Sequence, residues 1–200
     1  MKIATIKSNL ESFVLTMETA QQSEQIKIAL YTDKLRSQEL SATERDHCEK
    51  ELKRFEKRLL LVSKMYSELS ESEIAELRKS GLSYDAMLSV FNDSKASTKL
   101  GQMLKALAHR SSAYLKDNKI DKFLSLVASS EDSFVSRSQY EASATNLRES
   151  TCSPRQSQMC RKMLARLSVI TDVCEGNRIV GFEIDKSSKA YALLAEVFAS

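Results

Sequence analysis

Between Ser153 and Leu167 the chain reads SPRQSQMCRKMLARL. Arg155, Arg161, Lys162 and Arg166 stand there with Gln158 among them, and no acidic residue follows until Asp172. Guanidinium and ammonium groups at that density pair with anions such as phosphate, and arginine does so through a planar fork of donors. Arg178 lies just beyond, after the stretch Glu175-Gly176-Asn177.

Other residue types able to do chemistry are sparse. Cys48, Cys152, Cys160 and Cys174 form no CxxC pair, and with His47 and His109 as the only histidines no zinc spacing arises. Reduced and mostly buried thiols are expected. His47 and Cys48 are adjacent on a helix and so point to different faces, which argues against a catalytic dyad. Four glycines scattered through 200 residues cannot build a phosphate-cradling loop. Asp117, Asn118 and Asp121 are closely spaced oxygen donors but lack the Gly and closing Glu of a calcium loop. HExxH, GxSxG and a tight acidic cluster are missing. The expectation is a protein that is not an enzyme, with no metal and no cofactor.

The elements around these residues are mostly helical. Four glycines and one proline leave few turn formers, which favours long helices joined by short polar connections. Over 2–36, Ile3, Ile6, Leu10, Phe13, Met17 and Ala20 step by three and four, an apolar helical seam. The pattern then shifts to Ile26, Ala29 and Leu30, so the seam changes face or the helix bends. Ser41-Ala-Thr-Glu44 is a capping box that opens a second helix to about Leu69. Leu52, Phe55, Leu59, Val62, Tyr66 and Leu69 form its heptad-like seam, broadened by Leu60 and Leu61. Its outer face carries Lys50, Lys53, Arg54, Lys57 and Arg58 among Glu49, Glu51 and Glu56, and reads as a solvated face. A short polar stretch at Ser37–Ser41 makes a helical hairpin the simple outcome. Seams of this length often pair with a second copy, so a homodimer or higher oligomer is expected through the Leu52–Leu69 set.

Shorter helices follow. Ser70-Glu-Ser-Glu73 starts one that ends at Gly81, and Ser83 caps YDAMLSVF. Leu100, Met103, Leu104, Leu107 and Ala108 mark the apolar face of a helix from about Ser97 through Tyr114. Residues 120–128 add another. The stretch 129–138, SSEDSFVSRS, is half serine without apolar periodicity and reads as a linker. That divides the chain into a helical bundle and oligomerisation domain (1–128), a linker, and a C-terminal domain (139–200). The latter opens with a helix at Gln139–Ser150. Pro154 suits the first turn of the basic helix. Ser168–Cys174 and Arg178–Ile184 read as strands, with Val180, Phe182 and Ile184 alternating in period two. Asp185 or Ser187 caps a last helix. The fold class is therefore mainly α, a hairpin or bundle of long helices plus a small α+β unit with one β-hairpin.

The order helix, tight connection, basic helix, strand, turn, strand, helix resembles a winged helix-turn-helix domain over about residues 137–199. Familiar members also have an earlier helix and a small strand after it, whereas here residues 120–128 lie across the Ser-rich stretch. The resemblance implies that the helix from Pro154 to Leu167 enters the major groove. Arg155, Gln158, Arg161 and Lys162 would lie nearest DNA, Arg166 near phosphate, and Arg178 would be the wing contact. A second echo, a three-helix arrangement over IAELRKSGLSYDAMLSVFNDSKASTKLGQMLKAL, would place Lys95, Lys99 and Lys105 on or near its third helix.

The expected function is that of a non-enzymatic DNA-binding, regulatory protein that self-associates through its helical N-terminal part. The alternative is a helical assembly, scaffold or adaptor protein of a virus or mobile element that acts on another protein. The net charge of +3 and Glu175 in the wing favour the alternative, and the acid-free basic helix favours DNA. Residues 1–13 meet Glu11 before an apolar run develops, and no run approaches the ~20 residues of a membrane span. A cytoplasmic protein with no membrane partner is expected.

Overall fold

The structure is a computed structural model that describes residues 16–37, 39–92, 97–115, 118–139 and 154–199. The chain is mainly helical, with a small antiparallel sheet near its C-terminus. It divides into two compact units, Met1–Ala75 and Glu76–Ser200. The division falls inside a helix and not in the Ser-rich stretch 129–138.

The first unit is an antiparallel hairpin of α1 (Met17–Arg36) and α2 (Ala42–Glu68). Thr16 caps α1 by accepting from Thr19 N at 3.2 Å. The expected capping box opens α2: Glu44 N donates to Ser41 Oγ at 3.3 Å, and Ser41 N donates to Glu44 Oε2 at 3.0 Å. The hydroxyl of Ser41, and then its backbone N–H, hold the Glu44 carboxyl below its ordinary pKa. Residues 1–15, including the seam from Ile3 to Phe13, lie outside the described residues.

The seam of α2 is used within the chain. Val62, Met65, Leu69 and Leu61 are buried, and Leu52, Phe55, Leu59 and Tyr66 are half-buried. The Phe55 ring lies 5.6 Å from that of Tyr31 on α1. On α1 the expected shift to Ile26, Ala29 and Leu30 does not occur, because those three side chains face solvent, Ile26 being 69% exposed. The inward stripe runs instead through Ala20, Glu24 and half-buried Tyr31, so a carboxylate occupies a place where the pattern calls for an apolar residue. Glu24 Oε1 accepts from Arg58 Nε at 3.2 Å and from Lys27 Nζ at 3.1 Å. Arg58, expected on the outer face, therefore turns inward. Leu60, expected to broaden the seam, is exposed.

Helix α3 (Glu71–Lys79), inside which the division falls, opens with the Ser70–Glu73 box, with Ser70 N donating to Glu73 Oε2 at 2.7 Å. It ends at Gly81, whose φ of +92° lets Gly81 N reach Arg78 O and Leu82 N reach Leu77 O, the pair of bonds of a Schellman cap. Ser83 caps α4 (Tyr84–Val90) as expected, accepting from Ala86 N at 3.1 Å. The apolar face of α5 (Ser97–His109) is buried at Leu100, Met103, Leu104, Leu107 and Ala108. This helix ends earlier than expected, at Arg110, which adopts a left-handed φ of +47° and leads into a short 3-10 turn, Ser112–Tyr114.

Helix α6 (Asn118–Ser129) is followed by strand β1 (Phe134–Ser136), then helix α7 (Pro154–Arg166), strands β2 (Ile170–Glu175) and β3 (Arg178–Ile184), and helix α8 (Lys189–Ala199). The stretch expected as a linker therefore contains a strand. β1 pairs antiparallel with β3, Val135 opposite Phe182, giving the sheet order β1-β3-β2. The expected hairpin is present, with Gly176 at φ +60° in its two-residue turn, where glycine is favoured. Ser188, and neither Asp185 nor Ser187, caps α8 by accepting from Tyr191 N at 3.1 Å. The expected helix at Gln139–Ser150 lies almost wholly outside the described residues.

The sheet buries one face. Val135, Phe182, Ile184 and Ile170 are each 5% exposed or less, and the Phe182 ring sits 6.1 Å from that of Phe123 on α6. Helix α6 packs on α7 and α8, and α7 packs on α4 and β2. Gly181 of β3 lies where Phe134 crosses it: a Cβ there would stand 2.5 Å from Val135 O and 2.6 Å from the Phe134 ring.

Candidate nucleic-acid interface

Helix α7 forms because its Pro154 needs no backbone donor in the first turn and because Met159, Cys160, Met163 and Leu164 recur on one side. Those four are 7% exposed or less, which fixes the rotation of the helix on the unit. The opposite stripe is solvent-exposed at Gln158, Lys162 and Ala165. Arg155 belongs to this helix.

The remaining basic residues of α7 face elsewhere. Arg161 Nη1 donates to Asp172 Oδ1 on β2 at 3.0 Å, and its side chain is only 13% exposed. Arg166 Nη1 donates to Val90 O at the end of α4 at 3.0 Å. That bond satisfies a carbonyl at a helix C-terminus, where a cation also suits the dipole. The structure thus brings Gln158 and Lys162 together on the open stripe and draws Arg161 and Arg166 into internal contacts. Arg178 is exposed beside the hairpin turn, directly opposite Glu175 in the strand register.

Asp172 is the residue that sequence reasoning missed. It serves there only as the end of an acid-free run. The signal available was period two: Asp172 shares a face with Ile170, and Ile170 is buried, so its carboxylate faces the helix packed on that side. Of the second echo, Lys99 and Lys105 are half-buried on α5, and Lys95 lies outside the described residues.

Other sites are small. Three described cysteines, Cys48, Cys160 and Cys174, form no disulfide, and the first two are buried. His47 is exposed beside buried Cys48, at a cavity of about 500 Å³ near the hairpin tip that Leu40 and Thr43 also line. Among the described residues no group of His, Cys, Asp or Glu could hold a metal ion, and no helix is long and apolar enough to cross a membrane.

Comparison with protein-family models, with curated proteins and with solved structures finds no match for this chain. The functional reading therefore stands on geometry alone.

Proposed function

We propose that the chain is a non-enzymatic, DNA-binding regulatory protein of the cytoplasm, whose residues 118–199 act as a winged helix-turn-helix unit with α7 in the major groove. The observation that carries this reading is the element order α6, β1, α7, β2, β3 with sheet order β1-β3-β2 and an acid-free helix whose outer stripe is open. Asn118–Ser129 and Phe134–Ser136 support the reading as counterparts of the earlier helix and small strand. Lys162 supplies phosphate affinity and Gln158, whose amide can pair with adenine N6 and N7, supplies base contact. Arg178 on the hairpin adds a wing contact. An exposed free thiol, Cys174, suits a reducing compartment.

The reading extends to self-association through the helical hairpin. Ile26, Leu30 and Leu60 are 69%, 51% and 64% exposed, and they join half-buried Leu52 and Leu59 as the apolar surface still open after α1 and α2 have paired. The same surface favours the second reading, a scaffold or adaptor that binds another protein.

A fluorescence-anisotropy titration against random duplex DNA at two salt concentrations separates them. Wild type binds, binding weakens as salt rises, and Gln158→Glu/Lys162→Glu removes it. Lack of binding by folded wild type at low salt overturns the DNA reading in favour of the adaptor.

A further inference from the structure

The hairpin poses a problem for any contact with phosphate: its first strand carries Asp172 and Glu175. The geometry accounts for the first of these. Asp172 does not project with the outer face of the sheet. It sits on the face of Ile170, opposite Phe182, and its Oδ1 takes Nη1 of Arg161 from α7 at 3.0 Å. The arginine is 13% exposed and the aspartate 36% exposed. Arg161 is immediately next to Lys162 of the open stripe, so the pair lies at the border between α7 and the hairpin.

We infer that Asp172 is a specificity-determining residue acting through Arg161. An unpaired arginine at this border would add affinity for any phosphate backbone, whatever the sequence. With Asp172 in place, a phosphate must displace a carboxylate before it gains that guanidinium. The partly exposed carboxylate allows such exchange, while the pairing holds the guanidinium out of loose contacts. Discrimination is left to Gln158, because phosphate-only binding is kept weak. Glu175 stands opposite Arg178 in the strand register. The inference rests on the DNA reading above and concerns how that surface is regulated.

The test is a double-mutant cycle on the full chain, with random duplex DNA as the probe and anisotropy read across a salt series. Asp172→Asn binds the duplex several-fold more tightly than wild type, and its salt slope steepens by about 0.9, one further phosphate contact. In an Arg161→Gln background the same substitution brings no gain. Glu183→Gln is the charge control, since Glu183 is exposed on the sheet face turned away from α7 and lies opposite Phe134 and Thr171. Thermal melting checks each fold, and Asp172→Ser replaces the Asn variant if that one is not folded. An equal gain in the Arg161→Gln background, or an equal gain from Glu183→Gln, overturns the inference and leaves the DNA reading intact. Absence of duplex binding by both wild type and Asp172→Asn overturns the two together.

Discussion

The two basic runs of this chain, on α2 and on α7, are both rich in Lys and Arg and are neutralised in different ways. On α2 the acids are local. Lys50 pairs with Asp46 at 2.6 Å and Arg54 with Glu51 at 3.2 Å, each within one helical turn. On α7 there are no local acids. Its arginines reach a strand and a helix end far away in sequence, Asp172 and Val90 O, and leave Lys162 in solvent. A basic run with its own acids is a solvated face whose pairs contribute a few tenths of a kcal/mol each. A basic run without them must find tertiary partners or an external anion. Arg58 is the exception on α2, drawn to buried Glu24.

Substitutions can break or sharpen this contrast, beginning with the largest expected effect. Glu24→Ala removes the shared acceptor of Arg58 and Lys27 and should destabilise the unit Met1–Ala75 by about 3 kcal/mol, read as a lowered urea midpoint. The Glu24→Leu/Arg58→Met double variant should recover most of that loss, because apolar replacement of a buried pair is close to neutral. If the double variant is as unstable as the single, the pair is more than a tolerated polar contact.

Next is the sheet that presents Asp172. Gly181→Ala places a Cβ against Val135 O and the Phe134 ring, and should cost about 2 kcal/mol in thermal denaturation. An unchanged melting temperature would mean that β1 contributes little to the sheet. Third, charge reversal at one exposed lysine of each run tests the contrast directly. Lys162→Glu should weaken duplex binding roughly tenfold in anisotropy, as expected for losing a phosphate contact and adding a repulsion. Lys53→Glu, on the self-neutralised face of α2, should leave it within about twofold.

The smallest effect is on pH dependence. The Ser41 hydroxyl lowers the Glu44 carboxyl, and the Ser187 hydroxyl lowers that of Asp185. In each case the folded state binds fewer protons than the unfolded one, so the contribution to stability is present above the ordinary carboxylate pKa, about 4, and is lost as pH falls through the lowered values. Both groups are exposed, so the change is slight. Melting curves from pH 6 to pH 2 on wild type and Ser41→Ala should show wild type losing the larger part of its advantage below that point.

Local signals carried far along this chain. The boxes at Ser41–Glu44 and Ser70–Glu73, the cap at Gly81, proline in the first turn of α7 and the alternating Phe182 and Ile184 all encode their conformations within a few residues, and the structure realises them. What was illegible depends on partners distant in sequence. Phe134–Ser136 is too short to show a period and is a strand only because β3 lies beside it. Glu24 breaks the apolar pattern of α1, and its burial makes sense only with Arg58, 34 positions on, beside it. Ile26 and Leu30 look like core by type and are solvent-facing because the helix turns its carboxylate inward. In the candidate interface, Gln158 and Lys162 were among the residues that the resemblance turned outward, while the withdrawal of Arg161 and Arg166 required Asp172 and Val90 to be in place.

Arg110 carries a consequence for the order of assembly. In its left-handed conformation it bonds Glu76 Oε1 at 3.0 Å and Glu196 Oε2 at 3.3 Å, joining α3 to α8 through one guanidinium. The second contact closes a separation of 86 residues, whereas the helices it joins can form from neighbours alone. Closure of so long a loop is entropically slow to reward, so this three-way junction belongs to the end of folding, after the helices and the hairpin have formed. Removing it should speed unfolding of the unit Glu76–Ser200 while leaving its folding rate nearly unchanged.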